Sequence, residues 1–387
     1  PIHGRQFPTL NHVWVVMMEN HGYGQIIGNP NAPFINQIAA DYNSANNYFA
    51  VGHPSLTNYL EVVGGSNFGV QNDNSPDWHN AACMSNIANG TVSNESTSTA
   101  ICPIAGANGT DAPTPAKDCS NEVSGPPCEL NIDGVKPVAA FNKVDGMTIA
   151  DQLEAHHRSW KSYQESLPPE GADGVNSADG FFSNLNPPSA LSTPNITFGA
   201  NDLVALYAVK HNPFVYFKSI QQDSKALGKT VGLEELYLDI AGHGSPEFSF
   251  IAPNQCNDQH GRGNTDKTCT YDPVSDGSQT GLNPALIQRG DVTVKKIVTS
   301  IMGAREWSRG SNAIVVLWDE NDYGVDPETN QVPLIVITNY KTSAPVHSNS
   351  FYTHFSLLKT IEAGLGLPCL NHACDGDVQL MNDLFAP

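Results

Sequence analysis

The chain has 387 residues, which is enough for one large α/β domain or two ordinary ones and for a sizeable buried core. Its formal net charge is -20, from 39 acidic against 19 basic residues. This excess of negative charge excludes a surface that follows the phosphate backbone of nucleic acid, so any phosphate group must be bound locally by a few side chains.

Several short apolar runs have the length of buried strands. They are HVWVVMM at 12–18, FVYF at 214–217, EFSFIAP at 247–253, AIVVLW at 313–318 and PLIVIT at 333–338. Helical patterns lie at 148–163 and at 291–310, and the second begins at an Asp cap and ends at Gly310. Strands that alternate with helices predict an α/β fold in which helices sandwich a largely parallel sheet.

Between about residues 80 and 138 the composition changes to Ser, Thr, Asn, Gly and Pro, with four of the cysteines. We interpret this segment as a disulfide-pinned, loop-rich insertion in a single domain that spans residues 1–387. No apolar run reaches the roughly 18 residues of a membrane-spanning helix. The sequence opens without Met or a signal-like apolar stretch, as expected of a processed chain.

The cysteines are even in number and include no CxxC pair, which favours disulfides over a zinc site. They are Cys83, Cys102, Cys119, Cys128, Cys256, Cys269, Cys369 and Cys374. We expect local loop staples between Cys369 and Cys374 and between Cys256 and Cys269, whereas the pairing of the other four stays open. Disulfides persist in oxidising compartments, so we expect a secreted or periplasmic protein.

Two predicted strands end in clustered oxygen ligands, Glu19-Asn20 after the first and Asp319-Glu320 after AIVVLW. Ligands of an open α/β sheet bind beyond the carboxyl ends of its strands. Without a cation, these carboxylates would repel one another strongly in a partly dry site. The pairs therefore predict one divalent metal ion, Mg²⁺, Mn²⁺ or Ca²⁺ by ligand type, with Zn²⁺ also compatible. Either pair alone is better explained as the cap of the following helix or turn, and it is the occurrence of two such pairs on buried strands that favours the metal.

The stretch AVGHPSLTNYL at 50–60 places Ser55 behind Pro54, at the predicted start of a helix. A serine there is either a simple N-cap or part of an anion site formed with the free N–H groups of the helix. Coordination to a divalent cation would turn its hydroxyl into a nucleophile without a Ser-His-Asp triad, and the sequence has no GxSxG elbow.

Three histidines, His211, His260 and His354, follow or precede apolar runs at positions from which they can reach the same pocket. Imidazolium groups stabilise the charge of a transferring phosphoryl group and protonate a leaving oxygen. For each histidine a purely structural role is the alternative. Further candidates for contacts to the phosphate are His53, Asn58, Asp73 and Asn74. His53 and Asn58 either orient phosphate or tie down the turn.

Seven blocks occur in order along the chain: MMENHGYGQIIG, HPSLTNYL, TIADQLEAHHRSWKSYQE, KHNPFVYF, FSFIAPNQCNDQH, VVLWDENDYG and YTHFSLLKTIE. Together they resemble the phosphoesterase family of secreted acid phosphatases and bacterial phospholipases C, a branch of the alkaline-phosphatase superfamily. The resemblance implies an alkaline-phosphatase-like α/β/α sandwich with one metal ion on the two acidic pairs. It also implies that Ser55 is the nucleophile and fifth ligand, and that His211 and His260 replace a second metal.

We therefore expect a secreted, metal-dependent acid phosphatase that hydrolyses phosphate monoesters through a phosphoserine. A phospholipase C or another phosphodiesterase of the same family is the alternative, and a non-catalytic secreted binding protein with a structural metal is a remote one. The expected partner is a small phosphate ester or a phospholipid head group, with no nucleic acid. The oligomeric state stays open.

Overall fold

The computed structural model describes residues 7–70, 144–167, 207–261, 284–322, 330–340 and 343–386, with isolated positions between 73 and 173. Asn74 and most of the predicted insertion at about 80–138 lie outside the described residues, as do Cys83, Cys102, Cys119, Cys128 and Cys269. The predictions for these residues, and the division into a single domain, stay predictions.

An eight-stranded sheet forms the centre of the described structure. Its strands, numbered in chain order, are β1 (His12–Met18), β2 (Asn43–Ala45), β3 (Trp160–Gln164), β4 (Thr230–Gly232), β5 (Phe248–Ala252), β6 (Asn312–Trp318), β7 (Leu334–Thr338) and β8 (His347–Ser348). They lie in the order β8-β2-β7-β6-β1-β5-β3-β4, and within this sheet only β7 runs against its neighbours. The prediction of an α/β fold with a largely parallel sheet is confirmed. The central strands β5 and β6 are buried throughout, which is why they appear in the sequence as continuous apolar runs.

Six helices of six or more residues accompany the sheet in the described ranges: α1 (Pro33–Asp41), α2 (Ser55–Gly64), α3 (Ile149–Ala155), α4 (Leu233–Leu238), α5 (Pro284–Met302) and α6 (His354–Leu365). Helix α1 packs against α5, and α2 packs against α6. Shorter helical turns span Tyr23–Ile26, Val209–His211, Pro213–Tyr216, Lys218–Gln221, Ser224–Leu227, Asp239–His243, Glu306–Ser308, Asn371–Cys374 and Asn382–Phe385. Two-residue strands pair Tyr48–Phe49 with Tyr352–Thr353, Met84–Ser85 with Ala172–Asp173, and Ile87–Ala88 with Thr91–Val92.

The predicted strand FVYF was wrong, because these residues lie in and directly after the short 3₁₀ helix Pro213–Tyr216. All of them are buried. A short apolar run that is buried on all sides has no periodicity that separates a strand from a helix. The predicted helix at 148–163 was also too long. It ends at Ala155, His157 adopts a left-handed φ of 56°, and the chain then enters β3.

The predicted helix at 291–310 begins earlier than expected, at Pro284, and ends at Met302. Asp291 is therefore not its N-cap. Its carboxylate instead accepts hydrogen bonds of 3.2 and 2.8 Å from the backbone N–H groups of Phe34 and Ile35, in the first turn of α1. An acidic residue thus caps a different helix from the one that carries it.

The predicted disulfide between Cys369 and Cys374 is present and closes a short loop after α6. Cys256 is disulfide-bonded as well. Among the helices of the described ranges, none has both the length and the apolar character that a bilayer span requires.

Candidate active site

The carboxyl ends of β1 and β6 place the two acidic pairs side by side. The strands are parallel neighbours that pair in register along their whole length, so Glu19 and Asp319 leave the sheet at the same edge. The backbone N–H of Asn20, a residue with a left-handed φ of 56°, donates a 3.0 Å hydrogen bond to Asp319 Oδ1. Ligand oxygens of Glu19, Asp319 and Glu320 all lie within 4.8 Å of one another, and we call these three residues the carboxylate cluster.

The carboxylate cluster concentrates negative charge in a buried place. Burial, and then the charge of Asp319, raises the pKa of Glu19 well above its ordinary value. Burial, and then the charge of Glu320, raises the pKa of Asp319 to about 7. Among the described residues, no group donates a hydrogen bond to the buried Asp319 Oδ2. The three side chains therefore fit a divalent cation, which removes the repulsion and coordinates a hard oxygen that lacks a donor.

Ser55 contacts the carboxylate cluster from the first position of helix α2. Its Oγ lies 3.1 Å from Glu19 Oε2 and 3.1 Å from Glu320 Oε1, and the residue is fully buried. Pro54 precedes it in an extended conformation that starts the helix, where its missing N–H costs no helical hydrogen bond. The structure thus brings the predicted nucleophile together with three of the predicted metal ligands, Glu19, Asp319 and Glu320.

Asn58 fastens the loop before the serine, and both His53 and Asn58 contact Glu320. His53 Nδ1 lies 2.8 Å from Glu320 Oε2, and the Asn58 side-chain nitrogen donates to the same oxygen at 3.4 Å. The side-chain oxygen of Asn58 accepts hydrogen bonds from the backbone N–H groups of Val51 and Gly52, at 3.1 and 3.0 Å, and its nitrogen donates to the Gly52 carbonyl at 2.8 Å. Of the two roles left open by the sequence, the contacts of Asn58 favour fastening the turn.

A buried lysine that the sequence did not single out also contacts the serine. Lys210 Nζ lies 3.0 Å from Asp73 Oδ2, and both side chains are 0% exposed. The same ammonium lies 3.3 Å from His260 Nε2 and 3.5 Å from Ser55 Oγ. Asp73 Oδ1 in turn accepts a 3.1 Å hydrogen bond from the backbone N–H of Leu56. We call Lys210, Asp73 and His260 the lysine cluster.

His211 lies between two carboxylates. Its Nε2 is 3.1 Å from Glu19 Oε1, and its Nδ1 is 3.3 Å from Asp258 Oδ2. The ring stacks on Tyr59, with 5.2 Å between centroids and 8° between planes. Burial raises the pKa of Asp258 well above its ordinary value. His211 therefore lies at the site, as predicted, but both of its ring nitrogens face protein carboxylates in this state.

His354 has different partners from the phosphate contact that the sequence predicted. Its Nε2 lies 2.7 Å from the backbone carbonyl of Asp319, and its Nδ1 lies 2.7 Å from the hydroxyl of Tyr48. Burial lowers the pKa of His354 to about 4, so the neutral ring donates from Nε2 and accepts at Nδ1. The side chain braces the backbone of a carboxylate-cluster residue.

Sequence comparison assigns the chain to a family. The profile of the phosphoesterase family matches residues 29–270, more than half of the chain. The chain belongs to the phosphoesterase family. The matched range contains Ser55, His211 and His260, whereas both acidic pairs lie outside it.

Relatives of this phosphoesterase-family chain include several phosphatases. An acid phosphatase of Aspergillus fumigatus is 22% identical over 374 residues, which cover 96% of this chain and 58% of the relative. The phosphate-repressible acid phosphatase of Penicillium chrysogenum is 23% identical, with 95% and 61% covered. The chain thus spans about three fifths of the length of these two relatives. The phosphatidylinositol-3-phosphatase of Mycobacterium tuberculosis is 23% identical, with 95% and 80% covered.

Among solved structures, a protein of the alkaline phosphatase superfamily from Vibrio parahaemolyticus aligns with 94% of this chain and 68% of its own. The sequence identity is 11% and the TM-score is 0.44.

Two charged residues of this phosphoesterase-family site were missed by sequence reasoning. Lys210 directly precedes His211 in KHNPF, and Asp258 lies two residues before His260 in NDQH. A usable signal was present in both cases, because each is a charged residue beside a predicted site residue in an otherwise uncharged stretch. Asp73 was considered from the sequence only as a weak phosphate contact, and its partner Lys210 was not foreseen.

Proposed function

We propose that the protein is a metal-dependent phosphatase that hydrolyses phosphate monoesters with Ser55 as its nucleophile. The observation that carries the proposal is the position of Ser55 Oγ at a helix N-terminus, 3.1 Å from an oxygen of both Glu19 and Glu320. The family and the names of the relatives support the reaction class.

Glu19, Asp319 and Glu320 would hold one divalent ion, with Asn20 and Ser55 as the further predicted ligands. The donors are hard oxygens, which match Mg²⁺, Mn²⁺ or Ca²⁺ and are compatible with Zn²⁺. When bound, such an ion lowers the pKa of a coordinated hydroxyl and stabilises negative charge on phosphoryl oxygens.

The reaction would then proceed in two steps. Ser55 Oγ loses its proton toward a carboxylate oxygen at 3.1 Å and attacks phosphorus, so that an Oγ–P bond forms as the ester P–O bond breaks. The carboxylate returns this proton to the leaving oxygen, which departs as the alcohol. In the second step a water oxygen bonds to phosphorus as the Oγ–P bond breaks, and a proton of that water passes to Oγ, so that inorganic phosphate leaves and the serine hydroxyl is restored. Glu320 is held in place for both steps by His53 and Asn58.

We infer that the enzyme is a secreted acid phosphatase. The names of the fungal relatives support the acid phosphatase assignment, and the disulfide bonds of Cys369 with Cys374 and of Cys256 are typical of an oxidising compartment. The phosphatidylinositol-3-phosphatase relative, of which the chain covers 80%, favours a second candidate substrate, the phosphate monoester of a phospholipid head group.

The experiment that tests this proposal replaces Ser55 by Ala. Ser55→Ala should lower hydrolysis of p-nitrophenyl phosphate by about 10³-fold or more, because the covalent route is lost. The matched control is Ser249→Ala, a fully buried serine of β5, which should keep wild-type turnover. Near-normal turnover of Ser55→Ala would refute the assignment of the nucleophile.

The substrate class is tested separately with the wild-type protein. At matched pH we would compare an aryl phosphomonoester, a bis-aryl phosphodiester, phosphatidylcholine and vesicles that carry phosphatidylinositol 3-phosphate. Monoesters should be preferred over both diesters. A preference for phosphatidylcholine would instead indicate a phospholipase C.

A further inference from the structure

We propose that Lys210 is a catalytic residue whose ammonium holds the Ser55 oxygen and donates hydrogen bonds to the phosphoryl oxygens of the substrate. The inference rests on the proposed phosphatase function, because it assigns a role within that site. The sequence predicted that histidines donate to the phosphoryl group, whereas this proposal assigns that role to a lysine.

The first argument is the burial of the charge. Lysine is almost never fully buried unless it is paired, since an isolated ammonium loses its hydration in the interior. Lys210 is fully buried and lies 3.0 Å from Asp73 Oδ2. A lysine at the surface would carry its positive charge without this loss of hydration. A buried ion pair beside a nucleophile therefore indicates that the charge has a function at the nucleophile.

The second argument is the way the ion pair is fastened. The other oxygen of Asp73 accepts the backbone N–H of Leu56, the residue that follows Ser55 in the first turn of α2. The Asp73 carboxylate therefore holds the ammonium through one oxygen and the first turn of α2, which carries Ser55, through the other. This arrangement holds Lys210 Nζ 3.5 Å from Ser55 Oγ.

The third argument concerns His260. Its Nδ1 lies 2.9 Å from the carbonyl oxygen of Gly261, which accepts only, so Nδ1 carries the hydrogen and donates. The ammonium of Lys210 can only donate, so His260 Nε2, 3.3 Å from Lys210 Nζ, is the acceptor in that contact. The backbone N–H of His260 is fixed in turn by Asp258 Oδ1 at 2.7 Å. In this arrangement His260 orients the ammonium, and the group that presents positive charge to Ser55 is Lys210.

The fourth argument concerns space for a second ion. Ligand atoms of Glu19, His211 and His260 lie within 4.8 Å of one another, which is a size that suits a metal. However, the ammonium of Lys210 contacts His260 Nε2. The ammonium of Lys210 thus already provides positive charge beside His260, where a second metal ion would otherwise bind. We therefore expect one divalent ion per chain. The ammonium donates hydrogen bonds throughout the reaction and loses no proton, while the Oγ–P bond forms and the ester P–O bond breaks.

The test compares Lys210→Met with Lys210→Arg and with the control Lys218→Met, whose lysine side chain is 45% exposed. We would measure kcat and KM for p-nitrophenyl phosphate, the affinity of the metal-loaded protein for inorganic phosphate, and the metal content. Lys210→Met should lower kcat/KM by about 10²- to 10³-fold, as expected for the loss of one fixed donor to a developing anion. It should also weaken phosphate binding by at least about tenfold, a difference of 1.4 kcal/mol. Lys218→Met should match wild type, and Lys210→Arg should recover part of the phosphate affinity.

Because Lys210→Met leaves Asp73 buried without its partner, the double variant Asp73→Asn/Lys210→Met provides a second route that removes both charges. A structure of the wild-type protein with vanadate needs no variant at all. It should show Lys210 Nζ within hydrogen-bonding distance, about 3 Å, of a vanadate oxygen. An ammonium directed away from the vanadate would overturn the proposal.

The outcomes separate this proposal from the proposed function. If the wild type hydrolyses monoesters and folded Lys210→Met retains its kcat/KM and phosphate affinity, the role of Lys210 is wrong and the phosphatase function stands. If the wild type hydrolyses no ester but phosphate binding still depends on Lys210, the phosphatase function is wrong and the phosphate contact stands.

Discussion

The carboxylate cluster and the lysine cluster both contact Ser55, and they differ in how their charges are balanced. Glu19, Asp319 and Glu320 bring like charges together in a buried place. Lys210 and Asp73 instead form a complete ion pair within the protein. The difference teaches that, in the proposed site, the charges of one half need an ion from solution to balance them, whereas the charges of the other half are balanced within the protein. Removal of metal and substitution of side chains should therefore affect the two halves differently.

The largest effect on activity is expected from the carboxylate cluster. Glu320→Gln should lower kcat/KM by about 10³-fold or more and reduce the metal content, because the ion loses a charged ligand and with it several kcal/mol of transition-state stabilisation. Glu306→Gln, before the opposite end of β6, is the control and should have wild-type activity. If Glu320→Gln kept its ion and its activity, the carboxylate cluster would not be the part of the site that needs a metal ion.

Removal of the ion from the wild-type protein should abolish turnover, and addition of a single suitable metal should restore it. The lysine cluster should remain intact, so the chelated protein should still bind inorganic phosphate, although more weakly. Titration calorimetry of inorganic phosphate into the chelated wild type and into chelated Lys210→Met measures the affinity that remains without the metal. Equal phosphate affinity of the two chelated proteins would show that the lysine cluster does not act independently of the metal.

A smaller effect is expected where a neutral residue braces the carboxylate cluster. Tyr48→Phe removes the hydroxyl that lies 2.7 Å from His354 Nδ1, and His354 in turn holds the backbone of Asp319. We expect a loss of about 1–3 kcal/mol in the free energy of unfolding, because a buried acceptor loses its donor. Activity should fall only a few-fold. Tyr42→Phe, at the end of α1, is the control in urea titrations, and equal midpoints would contradict the bracing role.

The smallest effect on activity is expected at Glu362, a buried carboxylate of α6 that belongs to neither cluster. Burial raises the pKa of Glu362 to about 9, above the value of an unfolded chain. Its contribution to stability is therefore fully present below the unfolded pKa and is lost as the pH rises through the folded pKa. The free energy of unfolding of Glu362→Gln, relative to that of the wild type, should therefore rise between about pH 5 and about pH 9, which are roughly the unfolded and folded pKa values of this group. The phosphatase activity should be unchanged. A constant difference over this range would show that burial alone does not perturb this carboxyl group.

Apolar runs made the central strands predictable from sequence, because β1, β5, β6 and β7 consist mostly of buried apolar residues. The edge strand β2 has only three residues and β8 only two, and such short segments carry no periodicity. For β3 the residues were assigned to a helix, since its start at Trp160 follows a helical pattern without a proline or glycine break.

The carboxylate cluster was predictable because parallel strands end at a common edge, so two acidic pairs at strand ends imply a shared site. The pairing of Lys210 with Asp73 was not, although Lys210 stands beside the predicted site residue His211 in the sequence. Asp73 and Lys210 are separated by 137 positions, and a lone charged residue in a sequence is normally a surface residue. Only the three-dimensional fold shows that these two charges neutralise each other against the serine.

The pairing of β1 with β6 also has a consequence for synthesis. The hydrogen bond between Asn20 and Asp319 joins positions 299 apart, so during synthesis β1 waits for β6 to leave the ribosome. A growing chain that lacks β6 has Glu19 but not Asp319 or Glu320, and therefore only one of the three carboxylates of the carboxylate cluster. The proposed metal site therefore forms only once β6 has paired with β1.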